Sequence, residues 1–105
     1  MRRTITVTNN PAPALPEGMS WLKAYRTRAG SPLGINEYYV RWDAGSMNSA
    51  RETAATLTEA RTLARRIVRG GKAWAEVFRM AESGTMVRDV WIASYEVESE
   101  SGASL

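Results

Sequence analysis

The chain of 105 residues contains no cysteine and no histidine. Without cysteine it has no disulfide, no thiolate nucleophile and no sulfur ligand for zinc or an iron–sulfur cluster. Without histidine it lacks the side chain that most readily transfers protons near neutral pH. Ser-His-Asp, Cys-His and histidine–metal chemistry are therefore excluded, and an enzyme would have to use carboxylates, lysine, tyrosine or a hard metal ion.

Long apolar runs are also missing. No stretch approaches the roughly 20 residues that cross a bilayer. The N-terminus, "MRRTITVTNN", alternates threonine with isoleucine and valine where a signal peptide would have an apolar segment. We expect a cytoplasmic protein with no membrane partner, and 105 residues suffice for a single core.

Catalytic and phosphate-binding motifs are missing as well. The carboxylate pairs Glu37 with Asp43 and Glu52 with Glu59 have no neighbouring motif and are typical of solvated surface. Neither G-x-x-x-x-G-K-[ST] nor G-x-G-x-x-G occurs. We expect a non-enzymatic protein with no cofactor, no metal site and no small-molecule substrate.

Period-two alternation of apolar residues predicts the strands. They cover residues 4–8, 20–28, 35–43, 72–80 and 86–98, with a short edge strand at "ARETAAT", residues 50–56. A proline-rich connection, residues 9–18, follows the first strand.

One helix is predicted over residues 57–69. Thr56 and Glu59 form a T-x-x-E capping box at its start, and Gly70 and Gly71 end it. Its apolar residues fall on one side: Leu57, Ala60, Leu63, Ala64, Ile67 and Val68.

These elements predict an α+β domain, β-β-β-(β)-α-β-β, with an antiparallel sheet of four to five strands and a single helix packed on one face. The domain would span residues 1–95. Residues 96–105, which include three glutamates, would form an acidic, disordered tail.

A single helix covers only one sheet face, yet several strands carry bulky apolar residues on both. In "EYYVRW" (37–42), alternation places Tyr38, Val40 and Trp42 under the helix and Tyr39 with Arg41 on the other side. The second face would be covered by residues 9–19, by a second copy of the chain or by a partner. The leading hypothesis is an interaction module that binds a protein partner or itself through this face. Its predicted partner-binding residues are Tyr39, Arg41, Trp91 and Tyr95.

Charge supports an alternative. All 14 basic residues precede residue 96, and 12 of them are arginine. Arg61, Arg65 and Arg69 recur every fourth residue with Arg66 beside them, which favours a nucleic-acid-binding helix. A solvated helix side with cations near its C-terminus would look the same. The arginines predicted to lie on the sheet, which could act beside stacked bases, are Arg26, Arg28, Arg41, Arg79 and Arg88.

Two resemblances bear on function. "YYVRWDAG…RETAATLTEARTLARRI" (38–67) resembles the arm-type DNA-binding domains of tyrosine integrases. In those domains a three-stranded sheet precedes a helix that starts Thr-x-x-Glu-Ala, but they end after the helix, whereas this chain continues with two strands. The overall composition resembles that of accessory proteins of phages infecting GC-rich actinobacteria, which implies a host-factor inhibitor as one form of interaction module.

Overall fold

The structure, a computed structural model, describes residues 4–23, 37–45 and 48–98. These residues form one helix and six strands in an α+β arrangement, as the sequence predicts. In chain order the elements are β1 (Ile5–Asn9), β2 (Ser20–Trp21), β3 (Tyr38–Gly45), β4 (Asn48–Ala54), α1 (Leu57–Arg69), β5 (Trp74–Ser83) and β6 (Met86–Val97).

The strands form one antiparallel sheet in the order β1-β6-β5-β3-β4. The two-residue strand β2 pairs with Ala81 and Glu82 of β5, beyond the point where β3 leaves that strand. One edge of β5 is therefore shared by two strands. The weakly apolar segment predicted as an edge strand is β4, and it lies at the edge of the sheet.

Most strand ends differ from the predicted ones by one to three residues, and two other boundaries need correction. The strand predicted over 20–28 is described only as far as residue 23, and its regular pairing ends at Trp21; residues 24–28 lie outside the described residues. The domain boundary predicted after residue 95 is too early, because Glu96 and Val97 pair with β1 and the Glu98 N–H donates to the Thr4 carbonyl. The predicted tail beyond residue 98 lies outside the described residues.

The helix has the predicted bounds and cap. The Glu59 N–H donates to Thr56 Oγ1 at 3.1 Å, which satisfies one of the free donors of the first turn. The Glu59 carboxylate reaches back to the N–H of Ala55 at 3.2 Å, one residue before the N-cap residue that a capping box usually reaches. At the other end, Gly70 is the C-cap and Gly71 takes a φ of +126°, which glycine adopts readily.

The core lies between α1 and the sheet. Small buried residues of the helix, Ala60, Ala64 and Val68, face buried side chains of the sheet. Those sheet residues include Val40, Ala75, Val77, Ala93 and Tyr95. Tyr38 and Trp42 pack against the same cluster, so the face predicted for them is confirmed.

A β-bulge at Ile92 divides β6 into two parts, in which odd-numbered residues face opposite sides of the sheet. Val77 is opposite Ala93, but the next residue of β5, Phe78, is opposite Trp91, so Ile92 is the extra residue. The bulge reverses the alternation, and Trp91 and Tyr95 therefore lie on opposite faces of the sheet. The prediction that they share one face is wrong.

In the part of the chain that the structure describes, no helix is long and apolar enough to cross a membrane.

Candidate functional site

The outward surface of α1 carries a row of arginines. Helix residues at spacings of three and four line a shallow groove that ends at Gly70; they are Thr58, Arg61, Thr62, Arg65, Arg66 and Arg69. Steps of four residues correspond to about 6 Å along a helix axis. Arg61, Arg65, Arg66 and Arg69, the four residues predicted for nucleic-acid binding, are thus brought together, and we refer to them as the arginine face.

Within the described residues, the arginine face has no carboxylate in ion-pair range. The two ion pairs there lie elsewhere, between Arg41 and Glu76 at 3.0 Å and between Arg79 and Glu37 at 4.0 Å. The acidic residue of α1, Glu59, is in the first turn and binds the backbone. Among the residues that the structure describes, no ion pair therefore neutralises the positive charge of the arginine face.

Tyr95 supports one side of this arginine face. Its ring is fully buried in the core, and its hydroxyl accepts a hydrogen bond of 3.0 Å from the Arg61 Nη1. The Arg65 guanidinium carbon lies 5.6 Å from the centre of the same ring. Tyr95, which the sequence assigned to a protein interface, is therefore a core residue that positions two arginines.

The opposite sheet face alternates aromatic rings with arginines. Its exposed and partly exposed members are Arg41, Arg51, Trp74, Phe78 and Trp91, with Tyr39 buried among them, and together they form what we term the open face. Tyr39 and Phe78 stack with ring centres 5.0 Å apart. The guanidinium carbon of Arg51 lies 4.5 Å from the Tyr39 ring centre, and that of Arg41 lies 5.5 Å from the Trp74 ring centre.

Tyr39 is on the predicted face but is not available as an interface anchor. Only 3% of it is exposed, because Leu22, Met80 and Phe78 pack around it. Its hydroxyl donates to Asp89 Oδ2 at 2.7 Å. Burial, together with this hydrogen bond and the Asp89 charge, raises the pKa of Tyr39 far above its ordinary value.

The remaining predicted partner-binding residues differ in availability. Arg41 is exposed but pairs with Glu76, and the Trp91 Nε1 donates to Ser94 Oγ at 2.8 Å while the indole stays partly exposed. Sequence reasoning did not include Arg51, Trp74 or Phe78 in the site. The period-two pattern was sufficient to place Trp74 and Phe78 on this face, because β5 has no bulge.

The other sheet arginines are dispersed. Arg79 lies on the α1 side against Trp21, and Arg88 is exposed near the β5–β6 turn. Arg26 and Arg28 lie outside the described residues. Asn10 and Pro13 of the proline-rich connection line a cleft on the α1 side, so this part of the connection does not cover the open face.

Across residues 4–23, 37–45 and 48–98, no group of three or more carboxylates is placed to hold a metal ion. Comparison of the chain with models of protein families, with curated proteins and with solved structures finds no match. Among the described residues, the three-stranded sheet that the integrase resemblance implies before the helix is not formed. Over residues 38–42, β3 pairs with β4 on one edge and with β5, a strand that follows the helix, on the other.

Proposed function

We propose that this protein is a non-enzymatic module that binds the phosphate backbone of nucleic acid through the arginine face of α1. The observation that supports the proposal is four arginines on the outward side of one helix with no carboxylate in range among the described residues. A solvated helix side that serves stability alone usually mixes both charge signs, so that pairs form along it. The arginine face has no acidic member, and the carboxylate of α1, Glu59, lies two turns before Arg66 and accepts from the backbone.

Arginine is also the residue type suited to this partner. Its planar guanidinium donates two parallel hydrogen bonds to a phosphate and keeps its charge at any physiological pH. The position near the C-terminus of α1 is favourable for cations even without a ligand. The helix dipole therefore accounts for Arg66 and Arg69 in the last turn, but not for Arg61 and Arg65 in the middle of the helix.

The salt dependence of binding tests this proposal. A fluorescently labelled single-stranded oligonucleotide is titrated with the protein between about 50 and 200 mM salt, and affinity is followed by anisotropy. Four phosphate contacts predict a slope of log affinity against log salt of about −3 for a single strand. A protein that shows no binding at the lowest salt would contradict the proposal.

The matched variants are Arg65→Glu and Arg88→Glu, since both change the net charge equally and both side chains are exposed. We expect Arg65→Glu to weaken binding at least about tenfold and to make the salt slope shallower by about 1, because one phosphate contact is lost. Arg88→Glu should change affinity less than about threefold, because distant charges are screened beyond about 10 Å. Equal losses in the two variants would show that net charge, not the arginine face, controls binding.

A second candidate function is favoured by the open face. Trp74, Phe78 and Trp91 remain partly exposed there, and exposed aromatic surface marks interaction sites in soluble proteins. We infer that a protein partner, in the simplest case a second copy of the chain, would cover them. A phage-type accessory protein that blocks a host factor would use the same surface, and both candidate functions fit the expectation of a cytoplasmic protein.

Light scattering on the protein across a hundredfold concentration range tests self-association. Trp74→Lys should shift a dimer to monomer, because a lysine amine cannot be buried without cost at an aromatic interface. Met86→Lys, an equal charge change at an exposed position on the other sheet face near the β5–β6 turn, should leave the mass unchanged. A monomer at every concentration would exclude the second copy.

A further inference from the structure

A cleft lies between the proline-rich connection and the N-terminal half of α1. It encloses about 400 Å³, a volume within the range of small-ligand sites. Its lining combines apolar and aromatic side chains with two cations: Trp21, Tyr38, Leu57, Ile92, Arg61 and Arg79. None of the described residues that line it is acidic.

Arg79 is held against the aromatic rings of the cleft. Its guanidinium carbon lies 4.4 Å from the Trp21 ring centre and 5.5 Å from the Tyr38 ring centre. Its Nε is buried and has no hydrogen-bond acceptor among the described residues, while Glu37 approaches another nitrogen of the same group at 4.0 Å. A buried donor without an acceptor is costly, and a ligand atom that accepted from it would remove the cost.

Arg61 connects this cleft to the arginine face, because it lines both. A strand whose phosphates lie along Arg69, Arg65 and Arg61 would therefore reach the mouth of the cleft with its next nucleotide. Rings, aliphatic side chains and a guanidinium plane are the surfaces on which unstacked bases are held.

We propose that the cleft accepts one unpaired base of a single-stranded nucleic acid whose backbone is bound by the arginine face. This inference rests on the proposed nucleic-acid-binding function. The base would lie among Trp21, Tyr38 and the Arg79 guanidinium, and its phosphate would contact Arg61. The protein would then bind single strands more tightly than phosphate contacts alone allow.

The experiment compares two probes with the same number of phosphates, a 12-nucleotide oligothymidine and an abasic 12-mer. We expect the unmodified protein to bind oligothymidine about tenfold more tightly, since stacking of one base on an aromatic side chain has an effect of this order. Trp21→Ala should reduce the affinity for oligothymidine to that for the abasic strand and leave the abasic affinity unchanged. Arg65→Glu should weaken binding of both probes in proportion.

A second variant, Arg79→Lys, keeps the charge and removes the guanidinium plane, so it should also reduce the preference for oligothymidine. If the unmodified protein bound the two probes with equal affinity, the proposal that the cleft holds a base would be wrong, while the proposed backbone binding would stand. This comparison requires no variant. A preference that survives both Trp21→Ala and Arg79→Lys would overturn that proposal too, by placing base contacts elsewhere, such as on the open face. Failure to bind either probe would remove the proposed function and the cleft together.

Discussion

At the scale of single residues, Tyr39 shows how an aromatic side chain on the face away from the helix becomes structural. The ring stacks on Phe78, carries the Arg51 guanidinium above it and ties β3 to β6 through the Asp89 carboxylate. A residue engaged on all sides in this way contributes to the rigidity of the open face, which then presents its neighbours Trp74 and Trp91 in fixed positions.

The raised pKa of Tyr39 predicts a stability change at alkaline pH. An unfolded tyrosine loses its proton near pH 10, whereas the folded Tyr39 keeps it to higher pH. Its contribution to the free energy of unfolding is therefore complete below about pH 10 and decreases as pH rises above that value, by up to about 1.4 kcal/mol per pH unit.

Denaturant unfolding of the unmodified protein and of Tyr39→Phe at several pH values from 8 to 11 measures this effect. At pH 8 the variant should be less stable by about 1 kcal/mol, because Asp89 loses a hydrogen-bond donor. The difference should shrink as pH approaches 11, since only the unmodified protein carries the Tyr39 hydroxyl. A difference that stayed constant over this range would contradict the assignment.

At the scale of elements, α1 depends on its N-terminal cap. Thr56→Ala should lower the free energy of unfolding by about 1 kcal/mol, because the Glu59 N–H loses its acceptor. Thr58→Ala is the matched control: the same substitution two residues later, at an exposed position, should change stability by less than about 0.5 kcal/mol. Urea titration followed by circular dichroism measures both, and similar losses in the two variants would argue against a capping role for Thr56.

The elements also show what sequence patterns predict and what they miss. The capping box and the two glycines locate α1 to the residue, because its start and stop signals are local. Alternation places Tyr38 and Tyr39 on the correct faces but does not indicate how deeply a side chain is buried. It could not show that Tyr39 is buried by Leu22, which follows the distant strand β2. The sequence pattern does not reveal the bulge at Ile92 either. Because β6 has apolar residues on both faces, its alternation is the same whether or not one residue is skipped.

At the scale of the whole molecule, the two candidate surfaces lie on opposite sides of the sheet. The arginine face is on the outer side of α1, and the open face is on the sheet side that α1 does not cover. Tyr95 faces the arginines because of the bulge, whereas Trp91 faces away from them. Binding at one surface would therefore leave the other accessible. Substitutions on one surface should change the binding at that surface and not at the other.

The sheet order predicts the pattern of hydrogen exchange. β5 pairs with β3 on one edge and with β6 on the other. Val77, in the middle of β5, is completely buried, so its amide is shielded from solvent. β4 is an edge strand with mostly exposed residues, and its outward amides have no partner strand among the described elements. We expect amides in the middle of β5 to exchange only on global unfolding and outward-facing β4 amides to exchange much earlier. Exchange measured residue by residue by nuclear magnetic resonance tests this.

The outward β4 amides could instead be protected as strongly as those of β5. If that protection increased with protein concentration, it would indicate that a second chain adds a strand at the β4 edge.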